Sequence, residues 1–295
     1  MSWLYDWWIS LAQALGLPEA FQYPFVARGV VAILILAPLL GGISHLVVAR
    51  RLAFFSTTLG QAALTGLVIG VALGQALDET YIAILGFCLL VAVIMTFVRR
   101  NTTLPPDTVI GVFMAVTLGL GICLLVAATR RFNIHQIEAV MFGSVLTITD
   151  KDLILAIVLG AVVVGMLIVF YNVLLSDSLS PAVAKARGAN TVLIEYAFVV
   201  LITVAITVSL KLIGALLVEA MVVVPAAAAR NVARSARGYL GWSIVLALIA
   251  GLGGLFISTL WRVPTGGAIV LTLSGLFFLT LTARIFVRSG AAARS

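Results

Sequence analysis

Charge is what this sequence has least of. Asp, Glu, Lys and Arg make up only 10% of 295 residues, against 63% hydrophobic residues, whereas a soluble domain carries about 25% charged residues. Water is therefore not its main solvent. Cysteine is nearly absent too: Cys88 and Cys123 both sit inside apolar runs and no CxxC occurs, so neither a disulfide nor a metal site is expected from them. The only histidines are His45 and His135, and no HExxH or GxxxxGK[ST] is found. An intramembrane protease would need paired aspartates or a histidine cluster, and a nucleophilic hydrolase a serine with a histidine. His45, in an apolar run, reads as a helix-interface residue and His135 as a solvated loop residue, so no catalytic residue and no enzyme is expected. The formal charge of +7 comes from Lys and Arg scattered in ones and twos at the ends of apolar runs, which marks membrane topology and excludes a nucleic-acid patch. Residues 1–25 lack a basic region ahead of an apolar core and contain Asp6, Pro18 and Glu19, which argues against a signal peptide. The amphipathic WLYDWWISLAQAL reads as an N-terminal interfacial segment with Trp3, Trp7 and Trp8 at headgroup level.

What is present is a series of long apolar runs. A helix needs about 20 such residues to cross a hydrocarbon core of about 30 Å, and candidate spans fall at 26–49, 57–76, 80–98, 108–128, 152–174, 191–210, 212–229, 239–260 and 266–286. Only helices and closed barrels satisfy their backbone in lipid, and these runs far exceed a barrel strand. The expected fold is all-α, a polytopic membrane helical bundle of eight or nine transmembrane helices filling 26–290, with 57–76 the least apolar span and 191–229 a possible interrupted pair. An outside N-terminus puts Arg50, Arg51, Arg99, Arg100, Lys185, Arg187, Arg230, Arg234, Arg237, Arg284, Arg288 and Arg294 in the cytoplasm. Arg28, Arg130, Arg131, Lys151, Lys211 and Arg262 are then outside, a partition that obeys the positive-inside rule and makes the C-terminus cytoplasmic. An eight-span version with the N-terminus inside requires one re-entrant segment.

Several polar features interrupt the apolar pattern. Residues 129–151 form the longest outer connection and 175–190 (LSDSLSPAVAKARGAN) the longest cytoplasmic one. In the latter, Ser180 reads as an N-cap, Pro181 as the first helical residue and Gly188 as a terminator, which predicts a short cytoplasmic helix near 180–188. Gly60, Gly66, Gly70 and Gly74 all fall in the second span, the last three four residues apart, spacing that lets helices approach closely. In STTLGQAALTG, Thr57 and Gln61 share a helix face while Thr58 and Thr65 lie elsewhere on the circumference. Their neutral oxygens can coordinate a cation, hydrogen-bond a solute or join helices. Glu219, within GALLVEAMVVVPAAA, is an ionisable group inside an apolar run; such a group costs about 2.5–3.5 kcal/mol to insert and by default faces a bundle interior or water-filled path. It reads as a cation ligand or gating carboxylate, or else as a protonated or hydrogen-bonded structural residue, with Pro225 able to kink its helix and free the Met221 carbonyl. Glu195 lies near a span end, where snorkelling or the helix dipole accounts for it.

These segments occur in an order that resembles the integral-membrane permease of the metal-uptake ABC transporter family, which includes zinc, manganese and iron chelate-type importers. ARRLAFFSTTLGQAALTG, PPDTVIGVFMAVTLGLG, VMFGSVLTITDKDL, LSPAVAKARGAN, KLIGALLVEAMVVVPAAAARNVAR and WRVPTGGAIVL carry the resemblance, from Phe25 to the last span. It implies a homodimer in the bacterial cytoplasmic (inner) membrane, a cytoplasmic ATP-binding subunit that hydrolyses ATP, and an extracytoplasmic solute-binding protein. It also implies that Ser180, Pro181, Ala184, Lys185, Arg187 and Gly188 belong to a coupling helix docked on the ATPase. The expected cargo is a divalent transition metal, zinc ahead of manganese or iron, moved by alternating access past Thr57, Gln61 and Glu219, with Glu219 as the metal-ligand candidate and no covalently bound cofactor. Where the family has a ligand Asp this chain has Thr57, and where it has the His four residues on it has Gln61. Arg262 replaces the acidic residue before the late Pro-x-Gly, and Glu219 stands where many relatives have a small or apolar residue. The alternative is the same architecture carrying a chelated metal or a non-metal solute.

Overall fold

The computed structural model describes residues 7–10, 13, 14, 16, 21, 23–75, 80–128, 150–179 and 190–292. Among these, nine helices are long and apolar enough to cross a bilayer, and no strand occurs. They are α1 (Pro24–Ala49), α2 (Phe55–Ala72), α3 (Tyr81–Asn101), α4 (Pro106–Ala128), α5 (Asp150–Leu179), α6 (Thr191–Ile213), α7 (Ala215–Val232), α8 (Ala236–Trp261) and α9 (Thr265–Ala292). The all-α expectation holds, at the upper of its two counts. The short helix near 180–188 and most of the 129–151 connection lie outside the described residues, as does much of the N-terminal segment, from which the Trp8 indole donates to the Phe21 carbonyl at 3.0 Å.

Two boundaries differ from the apolar pattern for backbone reasons. The second span stops at Ala72 rather than 76 because Gly74 turns to φ 86° and the Gln75 amide returns to the Gly70 carbonyl at 3.1 Å, closing the helix end. The pair within 191–229 is two helices, because Gly214 adopts φ 85° and ψ 159°, a conformation that favours glycine. At the far end of α8, Arg262 takes the left-handed position with φ 54°, and the Ser258 hydroxyl secures the turn by donating to the Val263 carbonyl at 2.7 Å.

The chain forms two compact units. The first comprises Met1–His45, Ser144–Gly160 and Leu212–Ser295, and the second Leu46–Gly143 and Ala161–Lys211. In the second unit α2 packs on both α3 and α4; in the first, α7 packs on both α8 and α9. Each unit thus holds a short helix followed by the two helices that cover it. The helix preceding each trio belongs mostly to the other unit: most of α1 counts with α7–α9, and α6 with α2–α4.

Small residues decide how closely these helices cross. In the first unit a Cβ on Gly41 would lie 2.9 Å from the Ala247 Cβ, and one on Gly254 would lie 2.4 Å from the Ile269 Cα. Ser243 donates to the Gly41 carbonyl at 2.7 Å, joining α8 to α1 at the same point. In the second unit Gly66 and Gly70 take this role, with hypothetical Cβ atoms 2.9 Å from the Ile84 Cα and from the Ala83 Cβ. The glycine row of α2 is therefore a packing seam against α3 that ends in the Gly74 terminator. Broad apolar faces remain on α4, α5 and α9, including Val116, Ile122, Ile168, Val169, Leu271 and Phe286, as expected where hydrocarbon is the solvent.

Gly254→Ala should lower stability by about 1–3 kcal/mol, because the new methyl meets backbone that cannot yield. Gly253→Ala, whose Cβ would meet nothing closer than the Thr272 methyl at 3.6 Å, should be neutral or stabilising by up to about 1 kcal/mol from helix propensity. Unfolding of the purified protein in detergent distinguishes the two.

Candidate functional site

The polar residues of α2 divide into two sets with different tasks. Thr58 and Thr65 are fully buried and face α4: the Thr58 hydroxyl lies 3.5 Å from the Ile110 carbonyl, and Thr65 donates to the Thr117 carbonyl at 2.9 Å. Gly121 leaves room for the second contact, since a Cβ there would sit 2.6 Å from the Thr65 Oγ1. The Thr65 hydroxyl also lies 3.1 Å from the Gln61 carbonyl one turn back in its own helix, so its single proton is shared between two carbonyls. Cys88 on α3 adds a weak contact, its Sγ 3.7 Å from the Leu59 carbonyl. Helix packing thus accounts for two of the polar side chains in the segment.

Thr57 and Gln61 are not used in that way. With Leu64 they make up a stripe of half-buried side chains along one face of α2, whose other faces are covered by α3 and α4. The Gln61 Oε1 is shielded from solvent and has no hydrogen-bond partner among the described residues. A buried acceptor left unpaired costs about 1–3 kcal/mol, which makes Gln61, with Thr57 on the same half-buried stripe, a candidate for meeting a ligand. The two side chains present a hydroxyl and an amide oxygen one turn apart. Both are neutral oxygen donors, suited to a hard cation, its water shell or a polar solute, and unlike the nitrogen and sulfur ligands of a tight zinc centre.

Glu219 is half-buried on α7, in the first unit rather than the second. The break at Gly214 places it in the second turn of its helix, nearer a helix end than an unbroken span would put it. Six residues on, Pro225 is buried inside α7 and denies a bond to the Met221 carbonyl. The amide that follows it, Ala226 N–H, goes to the Ser44 hydroxyl of α1 at 3.2 Å. α2 and α7 are the two shortest spans, at 18 residues each, or about 27 Å. Each of these short helices carries candidate pathway residues within its own unit, Thr57 and Gln61 on α2 and Glu219 on α7.

The remaining candidates have structural roles or lie outside the described residues. His45 is buried in α1, its Nδ1 2.6 Å from the Gly42 carbonyl and its ring edge-on to Tyr239 at 5.9 Å, as a helix-interface histidine should be. His135 and the residues Ser180, Pro181, Ala184, Lys185, Arg187 and Gly188 are outside the described residues. Cys88 is buried as expected, whereas Cys123 is on an exposed face of α4; in a bilayer such a face is still apolar, so composition alone does not distinguish the two positions. Among the described residues no group of three or more His, Cys, Asp and Glu is arranged to hold a metal. Glu195 is held by two arginines, Arg99 and Arg100 at the end of α3, a stronger anchor than snorkelling. The paired arginines and the acid near a span end were the sequence signal for that cluster. Arg50, which the sequence offered only as a topology marker, makes equally specific contacts.

Residues 22–284 match a family model described as the ABC 3 transport family. The chain is 32% identical over 262 residues to the high-affinity zinc uptake system membrane protein ZnuB of Haemophilus influenzae, covering 89% of this chain and 97% of that protein. It is 28% identical over 258 residues to the manganese import system permease protein ScaB of Streptococcus gordonii, covering 88% of this chain and 90% of that one. Among solved structures, PsaBC from Streptococcus pneumoniae in complex with Fab is similar with a TM-score of 0.76 at 26% identity, over 88% of this chain and 91% of that one.

The division of labour on α2 has a stability signature. Thr65→Val should cost about 0.5–1.5 kcal/mol, the range for a hydrogen bond between membrane helices. Gln61→Leu should not lower stability, because it removes an acceptor that has no partner. Thermal unfolding in detergent reads both.

Proposed function

This chain belongs to the ABC 3 transport family, and from that premise we propose that it is the permease of an importer moving a divalent transition metal ion into a bacterial cell, zinc ahead of manganese and iron. The family match over nearly the whole chain carries the reading, since it makes the chain a transport subunit and not an enzyme. The order of metals follows the relatives, whose names specify zinc at 32% identity and manganese at 28%. An ABC transporter membrane subunit implies an ATPase and a solute-binding protein as partners. In this reading two copies of the chain form the path, and residues 180–188 dock on the cytoplasmic ATPase through Ser180, Pro181, Ala184, Lys185, Arg187 and Gly188.

The proposed orientation, N-terminus outside and C-terminus in the cytoplasm, is supported by contacts within the second unit. Glu195 at the start of α6 pairs with Arg99 and Arg100 at the end of α3, while Lys211 at the end of α6 lies over the ring of Tyr81 at the start of α3. α3 and α6 therefore run antiparallel, as alternating full spans require. The arginine-rich end is then cytoplasmic, so α2 begins at the cytoplasmic side and α7 at the outer side. Glu219 lies in the outer turns of its helix and Thr57 and Gln61 in the inner turns of theirs. A carboxylate near the entrance attracts a dication leaving the binding protein, and neutral oxygens near the exit hold it weakly and release it. Selectivity rests chiefly with the binding protein.

The Thr57 and Gln61 pair favours a second reading, the same importer carrying a chelated metal or non-metal solute, because an amide and a hydroxyl serve as well for hydrogen bonding as for coordination. Growth of a deletion strain under zinc, manganese or iron limitation, with uptake of each metal measured, separates the two. A zinc defect is expected, a manganese or iron defect would reorder the metals, and no metal phenotype would replace the first reading with the second. Glu219→Gln should reduce zinc uptake by roughly fivefold, corresponding to about 1 kcal/mol of lost ion–carboxylate attraction, with expression unchanged; undiminished uptake would remove Glu219 from the path. Arg or Glu substitutions across Val183 to Arg187 should leave ATP hydrolysis running without transport, and normal coupling in those variants would sink the docking assignment.

A further inference from the structure

Arg50 occupies the short connection between α1 and α2, which has little slack. The Arg51 amide bonds back to the Val48 carbonyl at 3.2 Å, the Leu52 amide to Val47 at 2.9 Å and the Phe55 amide to Leu52 at 3.0 Å. Arg51 sits in the left-handed conformation at φ 58°, and Leu52 is buried at 2% exposure. A displacement at Arg50 is therefore passed to the first turn of α2, where Thr57 lies, rather than absorbed by a loose loop.

The Arg50 side chain reaches two other helices. Its Nη2 donates to the Leu174 carbonyl at 3.2 Å, in the last two turns of α5, and its guanidinium carbon lies 4.4 Å from the centroid of the Phe198 ring, early in α6. Leu174 and Phe198 are themselves buried, at 3% and 1% exposure. A planar guanidinium can stack on a ring and direct an N–H at a carbonyl together; an ammonium has one compact charge and does not serve both. Glu195, one turn before Phe198, is held by Arg99 and Arg100 of α3, and α3 packs on α2. At this end of the second unit, Arg50 thus ties the α1–α2 connection to the end of α5 and the start of α6, and Glu195 ties the start of α6 to the end of α3.

We propose that Arg50 is a positioning residue that transmits movement of α5 and α6, the helices flanking residues 180–188, to the face of α2 that carries Thr57 and Gln61. The proposal rests on the reading of 180–188 as the ATPase-coupling segment. Without the brace, α5 and α6 slide past the α1–α2 turn, and ATP is hydrolysed while the substrate face stays in place. A role limited to membrane topology needs only a positive charge at position 50, and lysine supplies it.

The test compares Arg50→Lys, Phe198→Leu, their double variant and Ala184→Glu in the complete transporter reconstituted in liposomes, with zinc as the transported probe. Arg50→Lys should insert and assemble normally, keep its basal ATP hydrolysis and transport at least about fivefold less zinc per ATP, the lower end of typical coupling between sites. Phe198→Leu should do the same without altering any charge, and the double variant should be little worse than either, because the two residues form one contact. In a background carrying Cys88→Ala and Cys123→Ala, thiol labelling at Thr57→Cys should change with nucleotide, and Arg50→Lys should abolish that change while leaving the nucleotide-free rate intact. Wild-type coupling in Arg50→Lys and Phe198→Leu together with uncoupling in Ala184→Glu would overturn the Arg50 proposal alone. Normal coupling in Ala184→Glu would overturn the docking assignment and the brace with it. Should Arg50→Lys fail to insert, Phe198→Leu decides the matter by the same readouts.

Discussion

Hydrocarbon offers no hydrogen bond, so a group that is polar inside a span has to find its partner within the protein. That constraint arranges nearly every polar side chain described here. Thr58 and Thr65 reach carbonyls of α4, Ser243 reaches the Gly41 carbonyl, and Ser44 takes the Ala226 amide that follows Pro225. Each bond needs the helices to be close, and glycines or serines supply the closeness at the same crossings. At these crossings packing and hydrogen bonding support each other. A side chain that escapes the constraint, such as Gln61 with its shielded Oε1 that has no partner among the described residues, stands out for that reason.

The same constraint gives the two units their common plan. A span of 18 residues barely covers the hydrocarbon thickness, and α2 and α7 are of that length. A helix so short keeps its ends from lipid by being covered, and each is packed against the two helices that follow it. The consequence is that the polar groups on α2 and α7 are held on backbones fixed by several contacts. Thr57 and Gln61 on α2 and Glu219 on α7 are each half-buried on helices packed in this way.

The spans were legible in the sequence because each is longer and more apolar than any other membrane structure requires. Their ends were less so: Gly74 stops α2 early and Gly214 splits the α6–α7 pair, and a glycine in an apolar run reads equally as packing, hinge or terminator until its φ is known. Gly66 and Gly70 turned out to be packing residues while Gly74, on the same row, did not. The polarity of STTLGQAALTG was legible, but its division was not, since helical spacing separates Thr57 and Gln61 from Thr58 and Thr65 without saying which pair faces a neighbouring helix. Glu195 and the arginines were visible as isolated charges. Their pairing depends on α3 and α6 being neighbours, which nothing local to either helix encodes.

An importer has to let go of what it carries, and the chemistry of α2 suits release better than capture. The resemblance implies an acidic residue and an imidazole where this chain has Thr57 and Gln61, and against that expectation the face carries neither a charge nor an imidazole. Neutral oxygens bind a divalent ion with a fraction of the energy of a charged ligand set, which shortens its residence and lowers discrimination between metals. Such a permease works only if another element supplies affinity, and in an importer fed by a binding protein that element is upstream of the membrane. The loss of strong ligands on α2 is then compatible with metal transport, provided that the energy for capture is supplied by the binding protein and the energy for release by ATP acting through the helices that Arg50 joins.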